Sequence, residues 1–261
     1  MNKTINWKNL LAIGLMCLLT ACNDNPPYPA DDDKIKIVTS FSILKNFVQK
    51  ITEGNPRVQI DSLVPLESDP HTYQPSPKDS ILLARADLIV INGLDFEKEI
   101  EKMIASSGFK GKLCKATDNI PYRKNPLDPH LWHDVKYAKI YVDNITIFLC
   151  AYDPKNKNLY QDNKQKFVQE LDNLDQWIHQ QFLTIPPDKR LVVTTHDAFW
   201  YFGKAYGIEF LSPVGISTDV EPSAKKIAGL ITFIKKKKIK AVFVENLANQ
   251  KLINQIIQET G

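Results

Sequence analysis

Residues 35–64 read IKIVTSFSILKNFVQKITEGNPRVQIDSLV, and the fold is decided by how this stretch is parsed. Ile35 to Thr39 is a short run rich in β-branched residues. Ser42 to Thr52 then puts Ile43, Phe47, Val48 and Ile51 on one helical face, and Gly54 stops the helix. Val58 to Val64 alternates with period two and reads as a second strand. Strand, helix and strand in succession form the crossover unit from which parallel sheets are built. The alternation continues with a helix opened by Ser76-Pro77 and running to Ala86, where Pro77 suits the first helical position. Leu88 to Ile91 is a strand, Phe96 to Ala105 a helix, Lys112 to Ala116 a strand, and Asp134 to Cys150 a helix.

A longer helix follows over Asn156 to Leu183. Its apolar residues Phe167, Leu171, Leu174, Ile178 and Phe182 recur every three or four positions, and its other faces carry Lys, Asp, Asn and Gln. At about 1.5 Å per residue it reaches roughly 40 Å, enough to run from one lobe to another. A second series begins after Pro186-Pro187: strand Leu191 to Thr195, helix Ala198 to Tyr206, strand Ile208 to Leu211, a helix from Pro222-Ser223 to Lys237, strand Ala241 to Glu245, and helix Asn249 to Thr260. The expected fold is α/β, with two lobes of parallel sheet joined by one long helix. The lobes are expected over residues 34–154 and 186–261, with the linking helix within 155–185. Three strands against four make the second lobe look incomplete.

The ends and the charge balance limit the function. Lys3 and Lys8 precede the apolar run Leu10 to Leu19, which is shorter than the about 20 residues of a membrane-spanning helix. Residues 1–21 therefore read as a secretory signal. The ending Leu19-Thr-Ala-Cys22 resembles a bacterial lipobox, which implies cleavage before Cys22 and lipidation of its thiol. Two or more acyl chains hold a protein stably at a membrane surface. Residues 22–33, polar and proline-rich, read as a flexible tether. Without the signal, 31 positive charges face 30 negative ones, which argues against nucleic acid as a partner. The run Lys235 to Lys238 reads as a solvated helix end. Cys114 and Cys150 remain after the signal and the lipidation site, and two thiols or one disulfide are both compatible with an oxidising compartment.

Five histidines carry the chemistry: His71, His130, His133, His179 and His196. His71 follows the Val58 strand, His130 lies in the loop beyond the Lys112 strand, and His196 follows the Leu191 strand at once. Ligands of open parallel sheets bind outside the carboxyl ends of the strands, so these three converge on one edge between the lobes. Three imidazoles favour zinc, copper, iron or nickel over magnesium or calcium. Asp134 and Asp197 are candidate acceptors for the far ring nitrogens. His133 is expected to be a bystander, and His179 to be exposed on the long helix.

The segments Asp69-Pro-His-Thr-Tyr-Gln-Pro-Ser-Pro-Lys-Asp79, Asp128-Pro-His-Leu-Trp132, Thr195-His-Asp-Ala-Phe-Trp-Tyr-Phe-Gly-Lys-Ala-Tyr-Gly207, Glu221-Pro-Ser223 and Phe243-Val-Glu245 resemble, in order, the zinc/manganese solute-binding lipoproteins of bacterial ABC importers. The resemblance implies a non-enzymatic, extracytoplasmic protein that captures Zn2+ and delivers it to a cognate ABC permease and its ATPase, as a lipid-anchored monomer. Mn2+ or iron is the alternative cargo. His71, His130 and His196 fall on three of the family's four ligand positions, and histidine at the third goes with zinc. The family's fourth ligand, an aspartate, belongs to a segment beyond Gly261, so Glu245 or water is expected in its place and a truncated lobe is expected. Thr117 to Asp128 lacks the histidine-rich insertion of some zinc-type members, so capture from dilute solution is expected to be weaker. A zinc hydrolase is the rival reading, but the chain has no His-Glu-x-x-His pair and no serine or cysteine nucleophile motif. A surface adhesin would not require the histidines to converge.

Overall fold

A computed structural model describes residues 33–239, 242, 243, 245 and 250–260. Residues 35–261 form one compact unit. The first sheet contains β1 (Ile35–Thr39), β2 (Val58–Ser62), β3 (Leu88–Ile91) and β4 (Lys112–Lys115), in the order β2-β1-β3-β4 with every neighbour parallel. The register sets Ile37 beside Ile60, Val38 beside Ile89, and Val90 beside Cys114. All four residues of β3 are buried, as a central strand covered on both faces requires. The covering helices are α1 (Ser42–Thr52), α2 (Pro77–Ala84), α3 (Lys98–Ser106) and α4 (Val135–Tyr152). Helix α1 buries Leu44, Phe47, Val48 and Ile51. Ser76 caps α2 through a reciprocal pair with Asp79, with Pro77 at the start.

Helix α5 (Lys157–Leu183) runs between the two sheets. Its first half is buried on the first sheet's core through Tyr160, Asn163, Phe167 and Leu171. Its last turns meet the second half of the chain. Tyr206 donates its hydroxyl to Asp175 Oδ1 at 2.7 Å, and the Phe182 ring lies 5.8 Å from that of Phe202. Leu174, which the apolar spacing places inside, is 44% exposed because the helix crosses there from one packing surface to the next.

The second sheet pairs β5 (Leu191–Val193) with β6 (Glu209–Leu211) in parallel, and α6 (Trp200–Tyr206) connects them. Val242 forms a parallel bridge to Val193, which places part of the expected Ala241 to Glu245 strand beside β5; Ala241 and Val244 lie outside the described residues. Helices α7 (Ala224–Lys237) and α8 (Gln250–Thr260) supply Ile234, Ile253 and Ile256 to a small core with Val193. Asn249, the expected start of α8, is outside the described residues. Several strands end sooner than expected. β2 stops at Ser62, although Leu63 and Val64 still donate to the carbonyls of Thr39 and Ser40. β5 stops at Val193, which frees Thr194 to His196 for the loop beyond it. Both Cys114 and Cys150 carry free thiols, and burial pushes the Cys114 thiol up to about 12.

A buried polar knot closes the carboxyl edge of the first sheet. Glu97, 1% exposed, accepts from the Ser40 hydroxyl and the Asn92 N–H, each at 2.6 Å, and from the Gly93 N–H at 3.2 Å. Burial pushes its carboxyl up to about 7, against those three donors. The Asn92 side chain donates to the carbonyl of Pro129 at 3.1 Å and accepts from the Tyr141 hydroxyl at 2.7 Å. Strand β3 and the loop that carries His130 are thereby fixed to each other. Replacing Glu97 by Ala would leave three buried donors unpaired, at about 1–3 kcal/mol each. A loss of about 3 kcal/mol or more in unfolding free energy is therefore expected by urea titration of the Glu97→Ala variant.

Candidate metal centre

The loops beyond β2, β4 and β5 bring His71, His130 and His196 together, with one ligand atom from each within 4.8 Å of the others. His71 Nε2 and His130 Nε2 are 3.0 Å apart. Ring centroids are separated by 5.1 Å for His71 and His130, 5.3 Å for His130 and His196, and 5.7 Å for His71 and His196. The trio opens on a cleft of about 540 Å³ whose walls include Phe41, Phe96, Trp132, Phe199 and Val214. Phe96 stands edge-on to the imidazoles of His71 and His130, at 4.7 and 5.8 Å.

Each first-sheet histidine is held by an aspartate two residues earlier. Asp69 Oδ1 accepts the His71 N–H at 2.9 Å, and Asp128 Oδ1 accepts the His130 N–H at 3.0 Å. Asp128 Oδ1 is also 2.9 Å from His130 Nδ1, which leaves Nε2 free to face the cleft. Glu245 Oε2 stands 2.7 Å from His196 Nδ1, close in distance though not in line with a ring N–H. The acceptors expected from the sequence are therefore corrected. Asp134 instead caps α4 by accepting the Lys136 N–H, and Asp197 pairs with Arg123. The signal for Asp128 was present in both Asp-Pro-His segments, since an aspartate readily accepts the N–H two residues on. His133 is half-buried in the cleft wall, its ring 4.6 Å from Phe199, and stays outside the group of three. His179 is exposed and lies beside Tyr206. Cys22 is outside the described residues.

Burial sets the protonation of His71 and His130. It lowers His71 to about 4, aided by the neighbouring His130, and lowers His130 to about 3, aided by His196. Burial raises the Asp128 carboxyl to about 6. Burial alone would raise Glu245 as well, but the His196 ring and backbone N–H and the Thr195 hydroxyl beside it outweigh burial and hold the carboxyl below its ordinary value. His71 and His130 are thus held neutral, and a neutral imidazole binds a metal ion without first giving up a net charge.

Two parallel α/β layers joined by a long helix, with clustered imidazoles at their carboxyl edges, define the class as a solute-binding protein whose solute is a metal ion. Residues 37–261 match the family described as zinc-uptake complex component A, periplasmic, and the chain belongs to that family. It is 31% identical over 234 residues to the manganese-binding lipoprotein MntA of Halalkalibacterium halodurans, covering 88% of this chain and 77% of that one. It is also 31% identical over 257 residues to the iron ABC transporter substrate-binding lipoprotein MtsA of Streptococcus pyogenes, covering 94% and 82%. Among solved structures it resembles the periplasmic zinc binding protein TroA from Treponema pallidum, with a TM-score of 0.82 and 30% identity over 87% of this chain and 83% of that one. The chain is thus a metal-binding substrate-binding protein of an ABC transporter, and not an enzyme.

Because both shifts are downward, His71 and His130 stay neutral as pH falls from 7 to 5; His71 takes up a proton only near 4 and His130 only near 3. In the metal-free protein their ring Cε1 proton resonances should stay level over that range, whereas imidazoles of ordinary pKa move through it near 6.5. Resonances of His71 and His130 that titrate near 6.5 would contradict their neutral state.

Proposed function

We propose that the chain captures Zn2+ through His71, His130 and His196 and delivers it to a cognate ABC permease and its ATPase. The observation that carries this reading is the convergence of three ring nitrogens on one buried point. A tetrahedral zinc with bonds of about 2.0–2.1 Å sets neighbouring nitrogens about 3.3 Å apart, and the His71–His130 separation of 3.0 Å is within easy rotation of that value. An all-imidazole trio is a softer donor set than manganese prefers. Glu245 steadies His196 by accepting its backbone N–H at 3.4 Å and standing 2.7 Å from its Nδ1, and water completes the shell. The protein acts as a monomer at the outer face of a membrane, held there by lipid on Cys22. Manganese or iron becomes the better reading if Glu245 itself enters the coordination sphere, since a carboxylate oxygen hardens the site; relatives are named for both of those metals.

Calorimetric titration of the chain from residue 23 should give one zinc per protein, bound more tightly than manganese. Binding should be abolished in the variant His71→Ala, His196→Ala. Manganese binding as tight as zinc would reject the choice of cargo, and unaltered binding in the double variant would reject the site. Glu245→Gln should weaken zinc binding about 10–100-fold, the usual effect of removing a carboxylate that orients a ligand imidazole. In cells, Cys22→Ser should move the protein from the membrane pellet to the soluble fraction.

A further inference from the structure

We propose that Arg123 is a positioning residue that couples the two halves of the metal site, by joining the carboxylate behind His130 to the carboxylate beside His196. The inference rests on the metal-binding reading above. Arg123 lies in the loop between β4 and the turn Leu131–His133, on the first-sheet side of the cleft. Its Nη1 is 3.6 Å from Asp128 Oδ2 and 3.3 Å from Asp197 Oδ2. Asp128 is fully buried, and its Oδ1 is occupied by His130. Its Oδ2 has no hydrogen-bond partner among the described residues, so the guanidinium is the charge that compensates it. Asp197 directly follows His196 and is held in turn by its own N–H, which donates to the Gly215 carbonyl at 3.0 Å. One cation therefore stands at the middle of a chain running His130, Asp128, Arg123, Asp197, His196.

Other contacts show that this placement is fixed. The Arg123 N–H donates to the Tyr201 hydroxyl at 2.8 Å, and that hydroxyl donates to the Asp128 carbonyl at 3.1 Å. The guanidinium lies 5.3 Å from the Trp200 ring. Asp197, Trp200 and Tyr201 all belong to the second half of the chain, so Arg123 is a first-half residue gripped by second-half partners. Two opposing effects decide what it does to a bound metal. A lone cation near a dication would repel it and weaken binding. Here two carboxylates flank the guanidinium, so its own field at the metal is largely cancelled. Its removal would leave two carboxylates facing each other in a poorly solvated place, and their repulsion would push His130 and His196 apart. The second effect wins, and the arginine slows metal release. Other ties between the halves, such as the Thr218 hydroxyl to Asp69 Oδ2 and the Tyr206 hydroxyl to Asp175 Oδ1, are untouched by such a change. The consequence is therefore a faster off-rate and not separation of the lobes.

The test is stopped-flow release of zinc into excess chelator from the mature chain and its variants Arg123→Gln, Arg123→Lys, Asp197→Asn and the double variant Arg123→Gln, Asp197→Asn. Arg123→Gln and Asp197→Asn should each release zinc about tenfold faster, a common size for coupling between sites. Arg123→Lys should fall between wild type and Arg123→Gln, because a single ammonium keeps the charge but loses the fork. The double variant should be no faster than Arg123→Gln, since both changes break the same link. Off-rates within twofold of wild type, whatever the melting temperature does, would overturn the proposal, as would effects that multiply in the double variant. Should Arg123→Gln fail to fold, Asp197→Asn and Arg123→Lys decide by the same off-rate criterion. A wild-type chain that binds no zinc would instead refute the metal-binding reading and this inference with it, a result distinct from normal binding with unaltered variants.

Discussion

In both ligand loops of the first sheet, an aspartate accepts the backbone N–H of the histidine two residues ahead, across an intervening proline. This small closed turn is what the rest of the site depends on. Proline fixes one backbone angle and the carboxylate fixes the next amide, so the imidazole leaves the loop in one direction. The second carboxylate oxygen then links toward the other half of the molecule, directly at Asp69 and through Arg123 at Asp128. Asp69 takes the Thr218 hydroxyl, and Asp128 faces Arg123, whose own grip reaches Asp197 and Tyr201. The same residues thus orient the ligands and register the two lobes.

Such turns would be of little use on a mobile edge. The knot of Ser40, Asn92 and Glu97 removes that freedom, because it ties the ends of β1 and β3 to the Pro129 carbonyl immediately before His130. Burying a carboxyl there is costly, and its raised pKa records the cost. The burial also shields His71 and His130, which remain neutral for the same reason that Glu97 is hard to ionise. One dry sheet edge therefore accounts both for the rigidity of the loops and for the readiness of the imidazoles to accept a metal.

Much of this was legible in the sequence. Periodicity located β1, β3 and α1 to the residue, since each is short, buried and bounded by a clear stop. The convergence of three histidines followed from their places after strand ends. What periodicity could not give was anything set by contacts distant along the chain. Leu174 keeps the apolar spacing yet is exposed, because a helix crossing between two cores has a stretch with nothing beneath it. Asp134 and Asp197 looked like partners for the histidines by proximity in sequence, but Asp134 was claimed by a helix end and Asp197 by Arg123. Arg123 itself has no local signature. It is one of several cations in its neighbourhood, and only the fold brings it to two carboxylates 5 and 74 positions away.

The aromatic wall of the cleft has a further consequence. Trp132 stands 5.3 Å from the His130 imidazole and packs against Phe41 and Phe96 at 5.1 and 5.0 Å. An indole held that firmly, next to a ring that would ligate a dication, responds in its emission to the field of the arriving ion. The protein therefore carries its own optical gauge of occupancy, with no dye attached and with the signal originating a few ångströms from the event it reports.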